Sequence, residues 1–160
     1  MKRIGILGDI GSGKSYIAKC FGFPVFNADL EVAKIYKENK KVFQKLKKEL
    51  PLYFDSFPTK KKEIIDAILS NKRNLNKIIK IVHYEVRKKM NYFLKKNKNK
   101  KLVVLDIPLL LENKINKKRD ILIFVESKKS EILKRLKKRK NFNMKILDNF
   151  CLLYTSDAAD

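Results

Sequence analysis

The sequence predicts an α/β fold, a three-layer sandwich around a parallel sheet, and three observations carry that expectation. Short apolar runs alternate along the chain with longer stretches of helical periodicity, the arrangement that builds parallel sheets through helical crossovers. The first such run, Arg3-Ile4-Gly5-Ile6-Leu7, leads directly into Gly8-Asp9-Ile10-Gly11-Ser12-Gly13-Lys14-Ser15, which fits G-x-x-x-x-G-K-[ST] without a mismatch. Two further runs finish beside an acid, Asp29 and Asp106, at the carboxyl ends of strands where open sheets gather their ligands.

At 160 residues the chain is expected to form one domain large enough to bury a core. Its most apolar stretch, residues 102–111, is interrupted by Asp106 and Pro108, so neither a membrane span nor an export signal is expected and a cytoplasmic location follows. Two cysteines make no disulfide framework, and Cys20 reads as a small core residue. The formal charge of +22 would attract phosphate polymers. The excess is mostly Lys accompanied by Asn and Ile, the residues of AT-rich codons, and it is spread over most helices. No basic stripe interleaved with aromatics is present. Compositional drift therefore explains the charge better than a dedicated nucleic-acid surface, and neither a specific nucleic acid nor a membrane is expected as partner.

Taken in order, the glycine-rich turn joins a buried strand to a helix that carries Ile17, Cys20 and Phe21 at helical spacing. In such a turn Gly8, Gly11, Ser12 and Gly13 present backbone N–H groups to phosphate oxygens, Lys14 reaches the β- and γ-phosphates and the Ser15 hydroxyl ligates Mg²⁺. Tyr16 follows in the same nucleotide-binding segment. Gly22 suits the residue after a helix end and Pro24 prevents continuation. Pro24-Val25-Phe26 then reads as a short second strand. Asp29 falls on the rim of the phosphate loop and is also a candidate N-cap for a helix over 30–37.

Residues 40–50 predict a basic amphipathic helix stopped by Pro51, residues 52–58 an irregular aromatic-rich stretch, and residues 60–69 another helix. Leu75, Ile78, Ile79, Val82, Val86, Met90, Phe93 and Leu94 mark a long helix with one apolar stripe. His83 flanks that stripe and Arg87 lies one turn further on. A charged loop leads to the strand Leu102-Val103-Val104-Leu105-Asp106. After it come Ile107-Pro108-Leu109-Leu110-Leu111-Glu112, the strand Ile121-Leu122-Ile123-Phe124-Val125 and a helix over 128–140. Arg135 and Arg139 share one face of that last helix. In a chain that prefers Lys, these planar forks suit bidentate phosphate contacts.

The final stretch breaks with this texture. In residues 151–160 lysine vanishes, Ala and Asp take over, and the string resembles a transposase-end sequencing adapter translated in frame. Read as a non-native tail rather than a natural C-terminus, it is expected to leave a domain of residues 1–150 cut short at its C-terminus, with reduced stability or activity as the consequence.

The assembled pieces resemble the dephospho-coenzyme A kinase family, P-loop kinases related to the nucleoside monophosphate kinases. The markers are the loop at 8–15, then Asn27-Ala28-Asp29, Ile81-Val82-His83-Tyr84-Glu85-Val86, Asp106-Ile107-Pro108-Leu109-Leu110-Leu111-Glu112-Asn113-Lys114 and Arg135-Leu136-Lys137-Lys138-Arg139. The resemblance implies transfer of the ATP γ-phosphoryl group to the ribose 3′-hydroxyl of dephospho-CoA. It also implies a core sheet, a helical substrate-binding insertion at about residues 38–96 and an arginine-bearing lid from about residue 135. By the same resemblance, Asp29 is the general base and Lys14 steadies the transferring phosphoryl group. Arg135 and Arg139 clamp phosphates, while His83, Arg87, Pro108, Leu109 and Glu112 line the acceptor site. ATP and Mg²⁺ are the implied cofactors.

The chain departs from the family pattern at several places: Asn27 replaces an Asp, Tyr84 a Pro and Tyr16 a Thr, and the family's Phe-Gly segment is not recognisable at 52–57. Other small-molecule P-loop kinases share the loop and form the alternative enzyme class, and a basic nucleic-acid-binding module is the alternative outside enzymes. A GTPase-type switch is excluded because Asn113-Lys114-Ile115-Asn116 lacks the base-reading Asp.

Overall fold

The computed structural model describes residues 1–107 and 119–138. Four strands, β1 (Lys2–Leu7), β2 (Val25–Asn27), β3 (Leu102–Asp106) and β4 (Ile121–Phe124), form a sheet in the order β2-β3-β1-β4. Every pairing is parallel. Ile6 registers with Asp106, Leu7 with Phe124 and Asn27 with Asp106, so all the strands deliver their carboxyl ends to one rim.

The alternation of side chains across the strands divides the core. Ile4, Ile6 and Val104 face α1 (Lys14–Cys20) and enclose its Ala18, with Phe21, Val25, Ile123 and Val125 packed around them. Phe26, Leu105 and Ile107 belong to the larger core, which includes α2 (Ala28–Glu38), α3 (Lys40–Glu49), α4 (Lys61–Ser70) and α5 (Lys72–Lys96). Helices thus cover both faces, and the expected three-layer sandwich is present. A last helix, α6 (Lys129–Lys137), follows β4.

Local chemistry explains the helix boundaries. Asn39 ends α2 and caps α3, its side chain accepting from the Val42 N–H at 3.0 Å. Along α5 the buried residues are Leu75, Ile78, Val82, Val86 and Met90, an apolar stripe against α2, α3 and α4. The irregular stretch 52–58 inserts a fully buried Phe54 into this cluster and stacks Phe57 obliquely on Phe43 with centroids 5.8 Å apart. Glu63 braces the loop by accepting from the N–H groups of Asp55 at 3.1 Å and Lys60 at 2.8 Å.

Two expectations require correction. Cys20 is exposed, because α1 is only 7 residues long and turns Ala18 toward the sheet, leaving Cys20 at its outer end. The N-cap of α2 is Asn27, whose side chain accepts from the Leu30 N–H; Asp29 lies in the first turn, where a carboxylate favours the helix dipole. Gly22 does follow the end of α1 in the left-handed region (φ 67°), as expected of a helix stop.

At the opposite edge from the rim, the Arg3 guanidinium grips Asp120 through two nitrogens, with Nε to Oδ1 at 2.7 Å. Both side chains are more than nine-tenths buried. The pair tethers the start of β4 to β1. Removing one partner strands a buried charge, which typically costs about 3–5 kcal/mol. Asp120→Ala is therefore expected to lower the unfolding free energy by an amount on that order, measured by urea denaturation.

Candidate active site

The rim collects one segment from each strand: the loop at 8–15 after β1, Asn27 ending β2 with Asp29 just beyond it, Asp106 ending β3, and Val125 to Ser127 after β4. The loop depends on glycine. Gly8 adopts φ 134°, and a Cβ there would lie 2.3 Å from the Val125 carbonyl oxygen. Gly11, at φ 86°, would place a Cβ 3.2 Å from both Ile132 and Leu136 of α6. At Gly8 neither space nor backbone conformation admits a side chain, and at Gly11 the positive φ strains one and the contact with α6 is tight.

Cations and hydroxyls converge on the loop. The Lys14 ammonium donates to the carbonyls of Gly8 at 2.7 Å and Asp9 at 2.6 Å. Arg135 reaches over from α6 to donate to the Ser12 carbonyl at 3.0 Å, the Gly11 carbonyl at 3.3 Å and Ser127 Oγ at 3.2 Å. Ser127 in turn donates to the Ser12 carbonyl at 2.8 Å. Ser12 itself is buried. No side chain caps α1, whose Tyr16 and Ile17 N–H groups turn back to the Gly13 carbonyl at 3.0 and 3.1 Å.

Two hard oxygen donors, a hydroxyl and a carboxylate, meet beside the loop. Asn27 Nδ2 donates to Asp106 Oδ2 at 2.5 Å and to Ser15 Oγ at 3.2 Å, which brings hydroxyl and carboxylate to one point. That donor set fits Mg²⁺, which prefers one or two protein oxygens together with nucleotide phosphates. Among the described residues no group of three or more His, Cys, Asp or Glu forms an all-protein cage.

The other expected site residues fall into three groups. Asp29 is exposed on the rim in the first turn of α2, and Tyr16 is 73% exposed beside the loop. His83 is half-buried and Arg87 exposed, both on α5. Burial, and secondarily the Arg87 charge, push the His83 pKa below its ordinary value. Pro108, Leu109, Glu112 and Arg139 lie outside the described residues. Sequence reasoning noted Asp106 at its strand end without giving it a role; the signal was an acid closing an apolar run at the ligand end of a strand. Asn27 was read as a loss of carboxylate, and nothing in the local sequence pointed to Ser127.

A parallel sheet whose first strand opens into this loop, with an acid at the end of β3 and an arginine from α6 on the loop, defines a P-loop kinase of the nucleoside monophosphate kinase-like architecture. Comparison with known proteins narrows the class. The sequence profile of the dephospho-CoA kinase family matches residues 2–150, and the chain belongs to that family. It is 33% identical over 150 residues to the dephospho-CoA kinase of Wolbachia from Brugia malayi, spanning 91% of this chain and 76% of the relative. Against the Bartonella henselae dephospho-CoA kinase it is 34% identical over 132 residues, 79% of this chain and 67% of that one. The crystal structure of TT1252 from Thermus thermophilus superposes with a TM-score of 0.75 at 28% identity, covering 94% of this chain and 79% of that one. A dephospho-CoA kinase from Campylobacter jejuni shares the fold with a TM-score of 0.60 at 23% identity, covering 100% and 86%. No helix among the described residues is long and apolar enough to cross a membrane.

Two outcomes follow from the site's geometry. Gly8→Ala is expected to add backbone strain of about 1–3 kcal/mol and to abolish measurable binding of a fluorescent ADP analogue. Gly22→Ala, also at positive φ with nothing within 4 Å of the new Cβ, is expected to bind the analogue like the wild type. His83 titrates below its usual 6.5, so the unfolded chain takes up its proton first as the pH falls. Stability should therefore decline on acidification from 6.5 down to the lowered folded value. Chemical denaturation between about pH 5 and 8, the range in which histidine titrates, is expected to show a smaller decline for His83→Gln.

Proposed function

We propose that this chain phosphorylates the ribose 3′-hydroxyl of dephospho-CoA with ATP, yielding coenzyme A and ADP. The observation that carries the proposal is the convergence of the loop, Asp106 and Asp29 on one rim of a chain belonging to this family. In phosphoryl transfer the protein acts chiefly by positioning and by neutralising charge. The backbone of the loop cradles the phosphates, and Lys14 exchanges its loop carbonyls for phosphate oxygens. Arg135, already on the loop, supplies positive charge from the α6 side, and Arg139 is proposed to act with it. Ser15 and Asp106 would hold Mg²⁺, which when bound neutralises phosphate charge.

Asp29 accepts the proton of the acceptor hydroxyl or orients its oxygen for attack. His83 and Arg87 of α5, with Pro108, Leu109 and Glu112, are proposed to bind the acceptor. The charge of +22 gathers both anionic substrates toward the protein.

Turnover followed by coupled ADP release should be supported by dephospho-CoA and much less by AMP or CMP. Efficient phosphorylation of a nucleoside monophosphate instead would replace the proposed acceptor. Asp29→Asn is expected to reduce kcat by about 10²–10⁴, the usual contribution of a positioned acid or base, while leaving the KM for ATP nearly unchanged. Lys14→Ala should impair both parameters. Near-normal turnover in Asp29→Asn would remove that carboxylate from the base role.

A further inference from the structure

We infer that Asn27 is a positioning residue that assembles the two oxygen ligands of the magnesium side, Ser15 and Asp106, before nucleotide enters. This rests on the nucleotide-binding reading above and adds a role for Asn27, whose side chain bonds to three other protein groups. Asn27 is the last residue of β2 and registers directly with Asp106 at the end of β3. Its amide is used at both ends. Oδ1 accepts from the Leu30 N–H at 2.9 Å, capping α2, while Nδ2 donates to Asp106 Oδ2 at 2.5 Å and Ser15 Oγ at 3.2 Å.

The orientation of that amide follows from chemistry at both ends, since a helix N–H requires an acceptor and a carboxylate requires a donor. The two Nδ2 hydrogens match the two oxygens they meet. Ser15 accepts through one lone pair and keeps the other, and Asp106 retains its second oxygen. Asp106 is 3% exposed, so its carboxylate needs a donor wherever it sits. Asn27 supplies one without adding charge. It also sets the first turn of α2, in which Asp29 stands two residues later, so one side chain places the proposed base and the metal ligands in a common frame.

An aspartate at this position could still cap α2, because Asp and Asn are comparable N-caps. It would then turn a carboxylate oxygen toward Asp106, and two like charges at such separation call for a cation between them. The neutral amide makes the assembly independent of that cation. Loss of a group that orients a metal ligand typically costs about 10–100-fold in metal affinity.

The test uses the 160-residue chain with Asn27→Ser and Asn27→Asp, both of which keep a capping side chain. Binding of Mn²⁺ in the presence of ADP is followed by electron paramagnetic resonance, and binding of ADP alone is measured in EDTA. Asn27→Ser is expected to weaken Mn²⁺ binding by about tenfold or more while ADP affinity in EDTA stays at the wild-type value. Asn27→Asp is expected to melt at a lower temperature than wild type in EDTA and to regain stability on adding MgCl₂, by a larger increment than wild type shows. Wild-type Mn²⁺ affinity in Asn27→Ser would overturn the inference. So would an equal loss of ADP affinity in EDTA, which would mark general damage to the loop. The manganese readout needs no acceptor, so a failure to phosphorylate dephospho-CoA would refute the proposed reaction and leave this result to be judged separately.

Discussion

The close approach of the phosphate loop to the chain leaving β4 is the constraint on which the rest of the site depends. Gly8 passes so near the Val125 carbonyl that no side chain could stand there, and Gly11 lies under Ile132 and Leu136. The loop is thus clamped between the strand it leaves and the helix that follows β4. That clamp lets Arg135 and Ser127 reach the loop carbonyls. It also joins α6 to the phosphate loop, although more than a hundred residues separate the two in sequence.

Parallel register does the remaining alignment. Because β1, β2 and β3 end level with one another, Ser15, Asn27 and Asp106 meet without any long loop to carry them. The Arg3–Asp120 pair anchors β4 at the far end of the sheet, so the clamp on the loop has a fixed base. The helices α2 to α5 build an apolar core with Phe26, Leu105 and Ile107 of the sheet side, and His83 and Arg87 stand on α5.

How much of this was legible in the sequence depended on whether the determining interaction was local. The glycine pattern, the strand before it, the helix stop at Gly22 and the apolar stripe of α5 all arise from neighbouring residues, and each is where the sequence placed it. The bond from Asn27 to Asp106 spans 79 positions, and the bond from Arg135 to Ser12 spans 123. Such contacts follow from strand order, which local periodicity does not encode. Cys20 failed for a related reason: helical spacing put it in line with Ile17, but the short α1 gives its inward position to Ala18. Asp29 was expected on the rim and is there, although the cap it was offered belongs to Asn27.

The central claim is that this rim moves phosphate from ATP to one particular hydroxyl. Incubation of the chain with ATP, MgCl₂ and dephospho-CoA, followed by ³¹P NMR of the purified product, tests it most directly. A new phosphomonoester resonance coupled to the ribose 3′ proton, coincident with that of authentic coenzyme A, is the expected result. Phosphate on a different oxygen, or none on dephospho-CoA while ATP is consumed, would contradict it.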